Sequence, residues 1–393
     1  MNILFICDEY PPFRSGGIGS VTKIIAECLA SRGHSVKIAG YYTAMDETER
    51  HDVVNEIEVY RYNLGYRKGP LRSRLIMYLN KMGCSGWLIQ KELVFFETNI
   101  EELIQRKKID IVEIPDFYGF NVFRTKHKYK KYCVPTVLRV HGSISFLENL
   151  SGHKNEYAWM NDRNHFMRCD AVAAVSRFSQ EYVHQNFPDV HFKNDVVIYN
   201  PLEDSFINES PHCENQTILF VGKLKETKGA FSLIKAFNIF AKTHPGWSLR
   251  LAGYGDVDIA SQYVDNSTKD RVSFLGLCNR EQLKLEITNC TFACVPSYFE
   301  NFSMVALEIM GRRRALIYTN RTSGPEVIED GVNGLLVDPE DIDNIVNAMC
   351  KMADDDDFRY RCAENAYSFV KKNFTLPHIV TQIELLYSNL LNK

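Results

Sequence analysis

Two glutamates eight positions apart, Glu300 and Glu308, lie in PSYFENFSMVALEIM over residues 296–310 and carry the strongest chemical signal in the sequence. The stretch leaves an apolar run at Pro296, turns, and enters a helical pattern near Ser303. On one continuous helix that spacing would turn the carboxylates apart by roughly 80°. With Glu300 on the loop and Glu308 on the helix, both reach one elongated ligand. Asn301, Phe302, Ser303 and Met304 bring their amides to the helix start, which makes an anion seat. The plainer reading is that Ser303 is an ordinary N-cap and Glu308 a solvent-facing residue. A second loop, VGKLKETKG at 221–229, also joins an apolar run to a helical pattern. Its lysines, Lys223 and Lys228, can converge on a diphosphate beside a favourable helix dipole. No Walker pattern is present, and alone the pair reads equally well as solvated lysines. A third loop places Gly16 and Gly17 before a helical pattern starting at Ile18. Glycines there let amides approach a phosphate or sugar, or form a flexible turn.

The elements that must hold these loops are set by periodicity. Ile3–Cys7 reads as a buried strand, Ile18–Arg32 as a helix and Val36–Tyr42 as the next strand, which together make a parallel βαβ unit. Further strands fall at Ile109–Ile114, Thr136–Val140, Ala171–Ser176 and Asp195–Ile198. A polar stretch, LEDSFINESPHCENQ, reads as a linker. Alternation then restarts with strands at Thr217–Val221, Ser248–Ala252, Val272–Leu275, Thr291–Val295 and Ala315–Thr319. Helices fall between them at Ala230–Thr243, Arg280–Thr288 and Ser303–Arg312. The expected fold is therefore α/β, as two tandem doubly wound parallel-sheet domains facing across a cleft, with ligands at the carboxyl ends of the strands. The 393 residues, 45% apolar and 24% charged, suffice for two such cores without disulfides or metals. The net charge of -3 argues against a nucleic-acid binder. The eleven cysteines are scattered singly, as expected of reduced thiols in the cytoplasm. The opening residues lack a signal-peptide pattern.

The ordered set GGIGSV, HG, VS, NP, VGKLKETKG, GYG, FLG, PSYFENFSMVALE and EVIEDGVNGLLVDPED resembles the retaining glycosyltransferases of family 4, which have the GT-B fold of two Rossmann-like domains. The resemblance implies an acceptor domain over 1–205, a donor domain over 206–375, and a helix at about 376–393 that packs back on the first domain. It implies that Glu308 binds the donor ribose and that Glu300 binds the transferred sugar, helped by the amides of Asn301, Phe302, Ser303 and Met304. Lys223 and Lys228 would neutralise the leaving diphosphate, His141 would lie beside the donor sugar, and Gly16 and Gly17 would approach the diphosphate across the cleft. Backbone around Leu275–Cys278 would face the base. The chain departs from the family pattern at Lys223, where arginine is usual, at Arg313, where glycine is common, and at Ala315, where proline is common. TSGPEVI at 322–328 also lacks the usual glycine pair.

By the same resemblance the chain is a hexosyl-type, retaining, metal-independent transferase. It would need no cofactor, take a UDP- or GDP-sugar as substrate, and pass the sugar to a glycan or lipid-linked acceptor in cell-envelope polysaccharide synthesis. Preorganised cations and amides stabilise a departing diphosphate. The alternatives are an epimerase or phosphorylase of the same fold, or a non-catalytic nucleotide-sugar-binding protein. The loop DEYPPFRSGGIG lacks the spacing of a dinucleotide-binding dehydrogenase. Asp256 and Asp258 spell D-x-D, read here as surface rather than a metal motif. Basic segments at Tyr66–Lys91 and Phe123–Tyr132 fit either a solvated face or peripheral contact with an anionic membrane.

Overall fold

β1 (Asn2–Ile6) is an apolar run with its last four residues buried, as suits a strand covered on both faces. The next element, α1 (Gly17–Ser31), turns Val21, Ile25, Ala26 and Leu29 inward, and β2 (Ser35–Tyr42) returns parallel beside β1. The computed structural model describes residues 1–12, 16–42, 49–63, 70–83, 85–124, 126–150, 152, 155–208 and 213–392. The first unit, Met1–Tyr199 with Leu376–Lys393, continues through β3 (Glu49–Val54), β4 (Ile57–Asn63), α2 (Pro70–Lys81), α3 (Gly86–Lys107) and β5 (Ile111–Pro115). β6 (Thr136–Val140), α4 (Ile144–Leu150), α5 (Glu156–Met167), β7 (Ala171–Ala174), α6 (Arg177–Asn186) and β8 (Asn194–Val197) come next. Its sheet runs β3-β4-β2-β1-β5-β6-β7-β8, parallel except for the β3–β4 hairpin.

The second unit, Asn200–Thr375, opens with β9 (Thr217–Val221), α7 (Ala230–Phe240), β10 (Ser248–Ala252), α8 (Val257–Ser261), β11 (Val272–Gly276) and α9 (Arg280–Asn289). β12 (Phe292–Val295), α10 (Met304–Gly311), β13 (Ala315–Thr319), α11 (Gly324–Val327), β14 (Leu335–Val337), α12 (Ile342–Asp354) and α13 (Asp356–Asn373) complete it. All six strands are parallel, in the order β11-β10-β9-β12-β13-β14. Strand order reverses between β1 and β5 in the first sheet and between β9 and β12 in the second. Loops leaving the carboxyl ends of those neighbours diverge, and the crevice they leave is where such sheets bind ligands.

The last helix, α14 (Leu376–Leu391), belongs to the first unit. Ile379, Val380, Ile383 and Tyr387 are fully buried on it. The Tyr387 hydroxyl donates to Glu113 at 2.6 Å, and Glu113 pairs with Arg139 on β6, so the carboxylate is shared between strand and helix. Arg32, just past α1, meets Glu384 at 2.6 Å.

The stretch read as a linker is only partly one. Leu202 and Phe206 are fully buried, and the Leu202 N–H donates to the Phe374 carbonyl at 2.7 Å, so residues 200–208 are part of the second fold. Residues 209–212 of that stretch lie outside the described set. Arg313, at the position where glycine is common, does sit at φ 59, in the region glycine favours, and its guanidinium pairs with Glu364. Of the basic segments, residues 66–69, 84 and 125 lie outside the described set. In the second segment Phe123, His127 and Tyr132 are buried, so these rings are core anchors, while Arg124, Lys126, Lys128, Lys130 and Lys131 are exposed.

Candidate functional site

In the second unit the loops after β9 and β12 hold each other. Gly229, at φ 72, ends the first loop; a Cβ there would lie 1.9 Å from the Pro296 carbonyl oxygen, so the approach requires glycine. The Tyr298 N–H donates to the Thr227 carbonyl at 3.1 Å. Between these contacts, the Lys228 ammonium donates to Glu300 Oε1 at 2.7 Å, with the two side chains 31% and 13% exposed. The Ser297 hydroxyl donates to the same oxygen at 3.0 Å. The Glu300 backbone is fastened by the next loop: its N–H donates to Thr322 Oγ1 at 3.1 Å and its carbonyl accepts from the Ser323 hydroxyl at 3.0 Å. Thr322 holds φ 54, a conformation that costs a β-branched residue on the order of 1–2 kcal/mol. Glu300 and Lys228, read from separate loops, thus meet. Lys223 does not join that pair: its ammonium lies 5.4 Å from the Tyr254 ring centroid.

The start of α10 divides its residues by task. The Ser303 hydroxyl accepts from the Ala306 N–H at 3.4 Å, so Ser303 is the cap. The Phe302 side chain is buried against Phe374, ring centroids 5.6 Å apart. Asn301 and Met304 are half-buried. Among the described residues the amides of Met304 and Val305 have no hydrogen-bond partner, as expected at a helix start. These amides open the helix that follows the Glu300 loop.

Glu308 is not a solvent-facing helix residue. It is 3% exposed and pairs with Arg280 at 2.5 Å. Burial pushes its carboxyl up, and Arg280 opposes that shift. Arg280 also pairs with Glu203 at 2.5 Å and lies 4.4 Å from the Phe206 ring. Sequence reasoning missed this arginine, because a basic residue opening a helix reads as solvated. Its place just past the carboxyl end of β11 was the available signal.

The first unit has its own construction at the carboxyl ends of β5 and β6. Asp116, fully buried, accepts from the backbone N–H groups of His141 at 2.8 Å, Gly142 at 2.9 Å and Phe117 at 2.9 Å. Burial outweighs those bonds and pushes its carboxyl up to about 7. His141 sits in the turn so fixed. Desolvation, aided by Arg139, pulls its imidazole down to about 3, so it is neutral at ordinary pH and cannot serve as a resident cation. Asp162 braces the same segment by accepting from the Ser145 N–H at 2.8 Å. Gly16 caps α1 and Gly17 opens it. A Cβ on Gly16 would lie 2.1 Å from a Glu9 carboxylate oxygen, whereas one on Gly17 would meet nothing within 4 Å. A side chain at Gly16 would have to displace the mobile end of Glu9, and Gly17 leaves open space at the helix start. Asp256 and Asp258 are exposed, and no group of three or more His, Cys, Asp or Glu among the described residues is placed to hold a metal ion.

A buried-backed lysine and carboxylate beside unpaired helix amides can hold a diphosphate and hydroxyl groups side by side. Comparisons with known proteins bear on that chemistry. Residues 203–369 match the family described as "Glycosyl transferases group 1", and residues 15–206 match "Glycosyltransferase Family 4". Glycogen synthase of Mycobacterium tuberculosis is 22% identical over 98% of this chain and 94% of that protein. Alpha-D-kanosaminyltransferase of Streptomyces kanamyceticus is 27% identical over 43% of this chain and 45% of its own. Sucrose-phosphate synthase from Thermosynechococcus elongatus superposes with a TM-score of 0.79 at 18% identity, covering 100% of this chain and 99% of that one. Anabaena Alr3699/HepE, solved in complex with UDP and glucose, does so at 0.71 and 18%, covering 99% and 100%. The fold shared with these structures is GT-B.

Proposed function

Since the chain belongs to the group 1 glycosyltransferases of family 4, we propose that it transfers a hexose-type sugar, with retention and without a metal, from a nucleoside diphosphate to a hydroxyl acceptor. The observation that carries this reading is the Lys228–Glu300 pair at 2.7 Å, held where strand order reverses and beside the amides of Met304 and Val305. As the glycosyl–phosphate bond breaks, charge grows on the leaving diphosphate. Lys228 and the start of α10 are in place to receive it, and such preorganised groups act without reorganisation. Retention by a front-face route puts the acceptor oxygen beside the departing phosphate, which takes its proton. In the free protein Glu300 keeps Lys228 oriented; with donor bound, the same carboxylate accepts from sugar hydroxyls while the ammonium turns to phosphate. Lys223, on the same loop, adds a second cation.

A UDP- or GDP-sugar is the donor class, and the UDP held by the HepE structure supports the first. The acceptor is a glycan or lipid-linked sugar of cell-envelope polysaccharide synthesis, reached from the cytoplasm. No helix among the described residues is long and apolar enough to cross a membrane. Peripheral contact would use exposed Leu75, Tyr78, Met82 and Trp87 of the first unit with Arg74 and Lys81. Sedimentation with anionic vesicles at low salt tests that contact.

The central test is nucleotide release from a panel of nucleotide-sugars, with and without glycan acceptors. One donor should be turned over in an acceptor-dependent way and in the presence of EDTA. Lys228→Ala should lower kcat/KM by about a hundredfold or more, the scale of removing one preorganised donor. Wild-type rates in that variant would overturn the assignment.

A further inference from the structure

The charged cluster behind Glu308 supports a role that rests on the reading above and extends it. Arg280 is the first residue of α9, directly after Asn279, which forms a reciprocal capping box with Gln282 and so fixes the backbone from which the side chain projects. Its guanidinium lies 4.4 Å from the centroid of Phe206, a ring that is itself fully buried. Nη1 donates to Glu308 Oε1 and Nη2 to Glu203 Oε2, each at 2.5 Å. The fork is held by a ring beneath and a carboxylate at either tip. Arginine's planar geometry suits such a bridge and lysine's does not.

For Glu308, one oxygen is committed to Arg280, and among the described residues Oε2 has no hydrogen-bond partner. A carboxylate with one oxygen locked presents the other in a set direction. A vicinal diol offers two hydroxyl donors to such an acceptor. We propose that Arg280 is a positioning residue for the nucleotide: by bridging Glu203 and Glu308 it aims the open oxygen of Glu308 at the ribose hydroxyls and creates a preference for ribose over deoxyribose.

The charge on Glu308 also depends on this bridge. Burial pushes the carboxyl up, Arg280 from α9 holds it down, and Glu203 from the segment before β9 adds to the rise. Lys284, further along α9, lies over the same Phe206 ring at 5.4 Å. With Arg280 replaced by a neutral residue, burial and Glu203 act unopposed, and Glu308 takes up a proton at a higher pH. A protonated carboxyl is a poorer acceptor for two hydroxyls.

The test is equilibrium binding of UDP, 2′-deoxy-UDP, GDP and inorganic pyrophosphate to the full chain, followed from pH 6 to 9. The wild type should prefer the ribonucleotide over its deoxy analogue by on the order of tenfold, the worth of a hydrogen bond to a charged group, with little pH dependence. Arg280→Met should weaken UDP by a similar factor, bring UDP and 2′-deoxy-UDP together, and make UDP binding strengthen as pH rises. Pyrophosphate binding should not change. Arg280→Lys should restore the flat pH profile while recovering only part of the ribose preference. An Arg280→Met protein that keeps both the preference and the flat profile overturns the proposal, as does equal loss of UDP and pyrophosphate. A wild type that binds none of the diphosphates overturns the nucleotide-sugar reading instead.

Discussion

Asp116 shows how a single buried carboxylate can shape a turn and leave a signature in stability. Three backbone N–H groups converge on it, yet burial still raises its carboxyl to about 7 from an ordinary 3.8. Between those values the folded protein holds a proton that the unfolded chain has released, so this group lowers stability as pH rises from about 4 to 7. His141 acts in the opposite sense. Its imidazole, pulled down to about 3, is neutral in the fold while the unfolded chain is protonated below about 6.5, so that stability is lost as pH falls through this window. The two effects oppose each other in the wild type and separate in a variant. We expect the difference in unfolding free energy between wild type and Asp116→Asn to shrink by a few kcal/mol from pH 4 to 7. Urea titrations at several pH values measure it, and a difference that stays flat would count against the buried acid.

Among elements, the loops after β9 and β12 behave as one piece, because Gly229 lets the first press against Pro296. Gly229→Ala must both adopt φ 72 and displace a carbonyl, which costs about 1–3 kcal/mol. The melting temperature should fall by several degrees, and kcat/KM should fall further than Lys228→Arg lowers it, because the whole Lys228–Glu300 register shifts. Unchanged kinetics in the alanine variant would show that the loops are not coupled. How far such elements can be read from sequence depends on what they bury. The central strands, ILFI and TILFV among them, are covered on both faces and announce themselves as apolar runs. α5 does not, because its inward face carries Asn161, Asp162 and His165 beside Ala158 and Phe166, and hydropathy alone shows no stripe. The β3–β4 hairpin is equally mute: ERHDVV is a largely exposed edge strand. Glu300 and Lys228 were legible because loop position predicts exposure to ligand. Arg280 was not, since a basic residue opening a helix reads as solvated and only the fold sets it against the buried Glu308.

At the level of the whole molecule, the chain leaves the first unit at Tyr199 and rejoins it at Leu376. The rejoining helix is tied by buried polar bonds as well as apolar packing: Tyr387 donates to Glu113, which also holds Arg139. Tyr387→Phe removes one charged hydrogen bond from a buried site and should cost about 1.5–3 kcal/mol. Calorimetry would register it as a lower melting temperature with the nucleotide affinity of the second unit intact. Loss of that affinity in step with the melting shift would mean that the tyrosine acts on more than its own fold.

The pairing of Leu202 with Phe374 and Thr375 means that the second unit begins and ends at neighbouring points, like a bead strung on a closed loop of thread. During synthesis on a ribosome the first 199 residues emerge early but lack the helix that covers them, while the inserted bead can complete itself as soon as its own closing segment appears. The unit begun before the bead is therefore finished after it, and until then its uncovered apolar face is the one a chaperone would meet.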